Sequence, residues 1–258
     1  MTFREEIIGD ARLILGDCRE VLRSFLLVDH VICDPPYEAL LHKMKNSLRG
    51  RIRTDSGPDL RGLDFDAIDD IRDEVVSLVA AICEGWFIAF CTPEGVAKWA
   101  DAINPSTLKY KRACVWVKPD STPQLNGQGP AQGAENFVCS WAGEGHSRWN
   151  SGGKRGVYTH CVNVGRQGEH PTEKPLPLMA EILTDFTQPG QLICDPFMGS
   201  GTTGVACIQH GRRFVGIEQS PKWFDLACRR IEAAARQPRL FAEPIPKPTQ
   251  LGLLEPSA

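Results

Sequence analysis

The stretch QLICDPFMGSGTTGVACIQHGRRFVGIE, residues 191–218, decides the fold of this chain. It contains an apolar run of strand length (QLICD), a glycine-rich turn, a helical segment that begins near Thr202, and a second apolar run (RFVGIE). This order is typical of a nucleotide-binding βαβ unit, in which two parallel strands flank a helix. Gly199 and Gly201 let the backbone turn tightly and approach a ligand, and Glu218 suits the hydroxyls of a ribose. Because no Lys follows the glycines, the turn is not a Walker phosphate loop.

Outward from this unit, apolar runs of strand length alternate with helical patterns along most of the chain. The runs cover residues 12–17, 30–34, 86–91, 113–118, 136–141, 191–195 and 213–218. Such alternation predicts an α/β fold with a mostly parallel, doubly wound (Rossmann-like) sheet that carries helices on both faces. We expect residues 1–236 to form a single domain, and residues 237–258, which contain five prolines, to form a flexible tail.

The composition excludes several classes of protein. A chain of 258 residues with 42% hydrophobic residues can bury a core. The N-terminal sequence MTFREEIIGD does not resemble a signal peptide, and no apolar run approaches the roughly 20 residues needed to cross a bilayer. We therefore expect a soluble, cytoplasmic protein without membrane contact. Ten cysteines without a C-x-x-C pair, most of them in apolar runs, predict buried thiols and no metal site.

Two loop-rich segments carry local positive charge, although the net charge of the chain is −3. Because proteins that coat nucleic acid are usually basic overall, any DNA contact must be local, and we expect loops near 38–62 and 119–166 to face DNA. Their basic residues are Lys43, Lys45, Arg49, Arg51, Arg53 and Arg61, and then Arg148, Lys154, Arg155 and Arg166. On charge alone, a solvated loop is an equally good interpretation. Trp149 suits either a loop that contacts phosphates or a packing anchor.

The tetrapeptide Asp34-Pro35-Pro36-Tyr37 directly follows the apolar run HVIC, so it lies at the carboxyl end of a strand, where open α/β sheets bind ligands. Since prolines donate no hydrogen bond, the turn presents the Asp34 carboxylate and the Pro35 carbonyl as acceptors. The exocyclic amino group of a base has two hydrogens for such a pair, which would then aim its nitrogen lone pair. Tyr37 offers a ring on which a base taken out of the duplex can stack. The alternative is a proline turn that only caps the strand.

Several motifs together resemble one protein family. DPFMGSGTT resembles motif I, the cofactor loop of S-adenosylmethionine-dependent DNA amino methyltransferases, and DPPY resembles their catalytic motif. HPTEKP (170–175) resembles their motif X, and GDC (16–18) resembles the segment that reaches the adenine of the cofactor. The resemblance implies S-adenosyl-L-methionine as the cofactor.

The resemblance also implies roles for individual residues. Asp195 and the loop backbone would hold the methionine part of the cofactor, Glu218 its ribose, and Thr172 and Lys174 would lie near its carboxylate end. The implied cofactor-binding residues are Asp17, Cys18, Asp34, Thr172, Lys174, Asp195, Pro196, Phe197, Gly199, Ser200, Gly201, Thr202 and Glu218. The implied catalytic residues are Asp34, Pro35, Pro36 and Tyr37.

The order of the motifs resembles the β group of this family, with DPPY first and HPTEKP and the glycine loop last. This order implies a circularly permuted methyltransferase sheet, in which RFVGIE lies beside RLILGD. The implied activity is site-specific methylation of an exocyclic amino group on a flipped base of double-stranded DNA, as in restriction-modification. Within the family, Asp at the first position of the tetrapeptide most often accompanies adenine N6.

Other activities remain open alternatives. Cytosine N4 is the runner-up, although serine is commoner there than Asp34, and RNA enzymes more often carry Asn. A DNA-binding module that keeps the cofactor pocket as a sensor would not require Asp34. Methylation of cytosine carbon 5 needs a thiol nucleophile, typically a Cys after Pro-Pro, and the chain has no Pro-Cys dipeptide. Glu135-Asn136-Phe137 is interpreted as the start of a strand.

Besides DNA, the candidate partners are a second copy of the chain, in a homodimer, and a bacterial sliding clamp. The clamp is a candidate because Gln237-Pro238-Arg239-Leu240-Phe241 in the tail resembles the clamp-binding peptide Q-x-x-L-F.

Overall fold

The computed structural model describes residues 3–24, 27–36, 68–121, 123, 129–162 and 173–237. The strands in these ranges are β1 (Arg4–Ile8), β2 (Ala11–Leu15), β3 (His30–Cys33), β4 (Trp86–Cys91), β5 (Lys109–Val117), β6 (Ala134–Trp141), β7 (Val157–Thr159), β8 (Leu192–Asp195) and β9 (Arg213–Glu218). The helices are α1 (Cys18–Leu22), α2 (Arg72–Ile82), α3 (Gly95–Ile103), α4 (Leu176–Phe186), α5 (Thr202–Gln209) and α6 (Pro221–Arg236), and a 3-10 turn spans Ile68–Asp70.

The strands form one sheet in the order β1-β2-β9-β8-β3-β4-β6-β5-β7. Strand pairs β2–β9, β9–β8, β8–β3, β3–β4 and β5–β7 are parallel, and β1 and β6 pair with their neighbours antiparallel. Only β1 and β6 therefore run against the common direction of this sheet. The mostly parallel α/β sheet predicted from the sequence is confirmed.

Helices cover both faces of the sheet because the central strands are apolar on both sides. In β4, whose six residues WFIAFC are all buried, Trp86, Ile88 and Phe90 face one core and Phe87 and Ala89 face the other. The first core also contains apolar residues of α4, α5 and α6, and the second contains those of α1, α2 and α3. Because strand side chains alternate between faces, one continuous apolar run supplies both layers.

The first and last parts of the chain meet in the sheet, as the circular permutation requires. β2 pairs with β9 in parallel, with Leu15 opposite Glu218. The Gly16 N–H then donates to the Glu218 carbonyl oxygen over 2.9 Å, so the chain after β2 stays beside the end of β9. This pairing confirms the neighbourhood implied by the order of the motifs.

The ten cysteines are free thiols, and all but Cys161 and Cys228, which are half-buried, are buried. This confirms the prediction of small apolar core residues. No helix within the described ranges is long and apolar enough to span a membrane.

Candidate active site

Three acidic residues follow or end parallel strands at one edge of the sheet. Asp34 comes directly after β3, Asp195 ends β8, and Glu218 ends β9. Because β8 lies between β9 and β3, all three carboxylates belong to neighbouring strands. The carboxyl edge of a parallel sheet is where α/β proteins bind ligands, and these three acidic residues lie at that edge.

The glycine loop joins β8 to α5 and lies at the same edge. Gly199 and Gly201 have positive φ angles of 53° and 82°, which glycine adopts without the strain that other residues suffer. A Cβ atom on Gly201 would lie 2.9 Å from the Cβ atom of Ala227, so α6 also packs too closely for a side chain there. Around Gly199, by contrast, a Cβ atom would meet only the Phe197 carbonyl oxygen among the described residues, at 3.9 Å. The loop is therefore closely packed on α6, whereas the described part of the chain leaves space beside Gly199.

Asp195 and Glu218 are held by the loop that lies between them. Asp195 Oδ1 accepts from the Phe197 N–H over 3.0 Å, and its Oδ2 accepts from the Thr203 hydroxyl over 2.6 Å. Glu218 accepts from the Gly199 N–H (2.9 Å) and from the N–H of Ser220. Burial raises the pKa of Asp195 to about 7 and also raises the pKa of Glu218.

The two oxygens of the Asp34 carboxylate have different surroundings. Oδ2 accepts from the Lys174 ammonium over 2.6 Å, which joins the predicted catalytic turn to the HPTEKP segment. Oδ1 is buried and has no hydrogen-bond partner among the described residues. Burial raises the pKa of Asp34, Lys174 opposes this rise, and the charge of Glu135 adds to it. Within the described part of the chain, the site thus contains a buried acceptor atom without a donor.

Lys174 and Glu135 extend this contact into a chain of alternating charges. The Lys174 ammonium lies 3.4 Å from Glu135 Oε2 and 5.0 Å from the centre of the Phe90 ring. Glu135 Oε1 in turn pairs with Lys118, which follows β5. The strand start at Glu135 is confirmed, but its place in the site was not predicted. The available signal was its position: an acid at the start of an antiparallel strand beside the ligand-binding edge.

A second unpredicted group supports the glycine loop from α6. Arg230 donates to the Ser200 carbonyl over 2.7 Å and to the Ser200 hydroxyl over 2.8 Å, and it also pairs with the Glu173 carboxylate. Both charged side chains are buried, with 7% and 2% exposure. An Arg on the apolar stripe of a helix was the only sequence signal. This contact ties the loop to the residue that precedes Lys174.

Asp17 and Cys18 lie beside the end of β9, because Gly16 bonds to the Glu218 carbonyl. Asp17 caps α1 by accepting from the Arg19 N–H over 2.8 Å, and it also pairs with the Arg19 guanidinium. Cys18 is buried. The structure therefore brings these two residues to the site, together with Asp34, Lys174, Asp195 and the glycine loop.

Several predicted residues lie outside the described residues, namely Tyr37, Thr172, the segment 38–62, Arg166 and residues 238–258. The proposed stacking ring and clamp-binding peptide therefore have no structural account.

Arg148 and Lys154, which belong to the second basic segment, do not lie at the site. Trp86, the first residue of β4, donates through its indole N–H to the Arg148 carbonyl, so Arg148 lies at the opposite edge of the sheet from Asp34. Trp149 packs edge-on against Phe186, with ring centres 4.8 Å apart, and it is thus a packing anchor. Lys154 pairs with the carboxylates of Glu181 and Asp185.

Comparisons with known proteins agree with this fold and identify the family. Residues 28–229 match the N6/N4 DNA methylase family. The Type II methyltransferase M2.DpnII of Streptococcus pneumoniae is 47% identical over 229 residues, which cover 80% of this chain and 83% of that protein. The crystal structure of the M1.HpyAVI-SAM complex is similar with a TM-score of 0.66 and 25% identity, covering 86% of this chain and 98% of that one. The cytosine-N4-specific PvuII DNA methyltransferase has the same fold, with a TM-score of 0.66, 16% identity, and coverage of 89% and 90%.

The sheet, with its permuted strand order and glycine loop, is a Rossmann-like methyltransferase fold. The chain belongs to the N6/N4 DNA methylase family, and it is an S-adenosylmethionine-dependent DNA amino methyltransferase.

Proposed function

We propose that this enzyme methylates N6 of adenine in double-stranded DNA and that Asp34 accepts a hydrogen bond from the adenine amino group. The observation that carries the proposal is the buried Asp34 Oδ1 at the carboxyl end of β3, for which no described residue supplies a donor. A buried acceptor without a donor costs about 1–3 kcal/mol, so a donor that enters the site recovers that energy. An amino group on a flipped base is such a donor.

The residues at the sheet edge suit the cofactor. S-adenosylmethionine, when bound, would supply a methyl group bonded to a positively charged sulfur, which is a good leaving group because it keeps the electron pair of the broken carbon–sulfur bond. The space that the described residues leave beside Gly199 admits a ligand against the loop backbone, and the carboxyl groups of Asp34, Asp195 and Glu218 place acceptor oxygens at this edge. Glu218 would bind the ribose and Asp17 and Cys18 would lie at the adenine. Thr172 and Lys174 would lie at its carboxylate end, with the loop residues Pro196, Phe197, Ser200, Gly201 and Thr202 around the methionine part.

Asp34 and Pro35 would orient the amino group. The carboxylate and the Pro35 carbonyl each accept one amino hydrogen, which directs the nitrogen lone pair towards the methyl carbon. As the nitrogen–carbon bond forms, the nitrogen releases a proton, and the ionised Asp34 carboxylate is the base placed nearest to it. Tyr37 would stack on the flipped base, a contact worth about 1–3 kcal/mol.

Adenine is proposed over cytosine because the tetrapeptide has Asp in its first position, and in this family that residue most often accompanies N6 transfer. The similarity to M2.DpnII further supports a place among Type II methyltransferases.

The test is to identify the methylated base. The enzyme is incubated with unmethylated duplex DNA and methyl-labelled cofactor, and the DNA is digested to nucleosides. We expect the label in N6-methyladenine. Label in N4-methylcytosine would assign the runner-up activity, and label only in an RNA substrate offered in parallel would show that DNA is not the target.

A further inference from the structure

We propose that Glu135 is a positioning residue for methyl transfer: together with Asp34 it holds the Lys174 ammonium between two carboxylates, which keeps Lys174 on Asp34 Oδ2 and leaves Oδ1 for the amino group of the base. This inference rests on the role proposed for Asp34, and it adds a residue for which neither the sequence motifs nor the family resemblance gave a role.

The geometry gives Lys174 two acceptors. Its ammonium lies 2.6 Å from Asp34 Oδ2 and 3.4 Å from Glu135 Oε2, so both carboxylates attract it. An ammonium group has three N–H donors, which permits it to serve both. Lys174 thus occupies Oδ2 of Asp34, and Oδ1 has no hydrogen-bond partner among the described residues.

Burial makes the second carboxylate important. Lys174 and Glu135 are only 6% and 12% exposed, and a buried charge without a partner is strongly unfavourable. The Lys174 ammonium also lies against the face of Phe90, so the attraction of the two carboxylates sets its position. Glu135 therefore fixes the side of the Asp34 carboxylate on which Lys174 lies.

Lys118 completes the charge balance. It pairs with the other oxygen of Glu135, and its ammonium lies 4.6 Å from the centre of the Trp116 ring. The order Lys118, Glu135, Lys174, Asp34 therefore alternates in sign and sums to zero. The charged or titratable groups that act on Asp34 from the surrounding elements are Lys174 before α4, Glu135 in β6, Lys118 after β5, Asp195 at the end of β8, and Cys33 in β3.

The experiment measures the pH dependence of the single-turnover methylation rate in two variants. One variant removes a negative charge near Asp34, and the other removes a positive charge. Asp34 has to be ionised to accept the amino hydrogen, so the rate falls on the acid side as the carboxylate is protonated. Glu135→Gln removes a negative neighbour, which should move this acid limb to lower pH. Lys118→Met removes a positive neighbour, which should move it to higher pH. Glu135→Asp keeps the charge and should leave the limb in place.

The rate itself supplies a second readout. In Glu135→Gln the ammonium loses this second carboxylate and can shift across the Asp34 carboxylate towards Oδ1, and we expect the rate at the optimum to fall roughly 10- to 100-fold, the scale of a misplaced reacting group. The KM for S-adenosylmethionine should change little. Circular dichroism and thermal unfolding establish that each variant is folded, and Lys118→Met still tests the proposal if Glu135→Gln does not fold.

Two results would overturn the inference: acid limbs of both variants that coincide with that of the wild type, or an effect of Glu135→Gln confined to the KM for the cofactor. Either result would leave the base assignment and the role of Asp34 intact, because the wild type would still transfer methyl groups and Asp34→Ala would still fail to.

Discussion

At the scale of single residues, the proposed chemistry depends on the different surroundings of the two oxygens of one carboxylate. Asp34 uses one oxygen for Lys174 and keeps the other buried and unpaired among the described residues. The sequence predicted an acceptor here, because two prolines after a buried strand leave no competing donors in the turn. It did not predict that Lys174 would contact Asp34, since the two residues are 140 positions apart and only the folded sheet brings them together.

Replacement of the Asp34 carboxylate should separate chemistry from cofactor binding. We expect Asp34→Ala to reduce methyl transfer at least about 10²–10³-fold, the usual cost of an oriented electrostatic contact, while the Kd for S-adenosylmethionine changes little. Single-turnover assays and calorimetric titration measure the two quantities. Loss of cofactor binding in Asp34→Ala would show that this carboxylate mainly holds the cofactor.

Glu218 should show the converse pattern. Glu218→Gln keeps an acceptor for the Gly199 N–H but loses the charge, so its hydrogen bonds to the ribose should weaken. We expect the Kd for S-adenosylmethionine to rise about 10- to 100-fold, on the scale of one charged hydrogen bond, with the rate at saturating cofactor nearly unchanged. An unchanged Kd would remove Glu218 from the proposed cofactor site.

At the scale of elements, the strands and helices were largely predictable because each central strand is a continuous apolar run between polar turns. The runs WFIAFC and RFVGIE coincide with β4 and β9. The two strands that the sequence did not reveal, β1 and β7, lie at the two ends of the strand order. With a neighbour on one side only, REEII can expose three of its five residues and VYT two of three, so neither carries a long apolar pattern.

The contact of α6 with the glycine loop can be tested by its energetics. Arg230→Met leaves the Glu173 carboxylate buried without its arginine, and we expect the free energy of unfolding to fall by about 3–5 kcal/mol. The double variant Arg230→Met/Glu173→Gln removes both charges and should recover much of that loss, as measured by denaturant unfolding.

Cofactor binding distinguishes support of the loop from a purely structural ion pair. Both variants lose the hydrogen bonds from Arg230 to Ser200, so we expect both to bind S-adenosylmethionine with a higher Kd than the wild type. In the double variant the Kd should remain high even though the stability returns. A double variant that regains both stability and the Kd of the wild type would show that Arg230 serves the fold alone.

At the scale of the whole molecule, the candidate site lies at the edge of the sheet where the parallel strands end, and not at the edge where they begin. The acids and the glycine loop could be assigned to the first edge from the sequence, because ligands bind at the carboxyl ends of parallel strands. The same reasoning could not locate the loop around Arg148. Because β6 runs antiparallel to its neighbours, the loop that follows it emerges at the opposite edge, and strand direction cannot be read from an apolar pattern.

Burial of Asp195 should make the stability of the whole molecule depend on pH. Its pKa rises from 3.8 to about 7, so between these values the folded protein keeps a proton that the unfolded chain has lost. The contribution of this residue to stability therefore falls as the pH rises through that window. Asp195→Asn retains partners for the Phe197 N–H and the Thr203 hydroxyl but does not titrate.

The free energy of unfolding of Asp195→Asn relative to the wild type should accordingly increase between about pH 4 and about pH 7 and then level off. Denaturant unfolding of the two proteins at a series of pH values measures this difference. A difference that stays constant with pH would mean that Asp195 titrates normally in the folded protein.

The most direct test of the account is the distance from Asp34 Oδ1 to the exocyclic nitrogen of the target base, measured in a crystal structure of the enzyme with a non-reactive cofactor analogue and duplex DNA containing the methylated site. We expect a hydrogen bond of about 2.7–3.2 Å from adenine N6 to this oxygen, with the Lys174 ammonium still on Asp34 Oδ2. A base whose amino group contacts neither Asp34 oxygen would contradict the proposed role of Asp34.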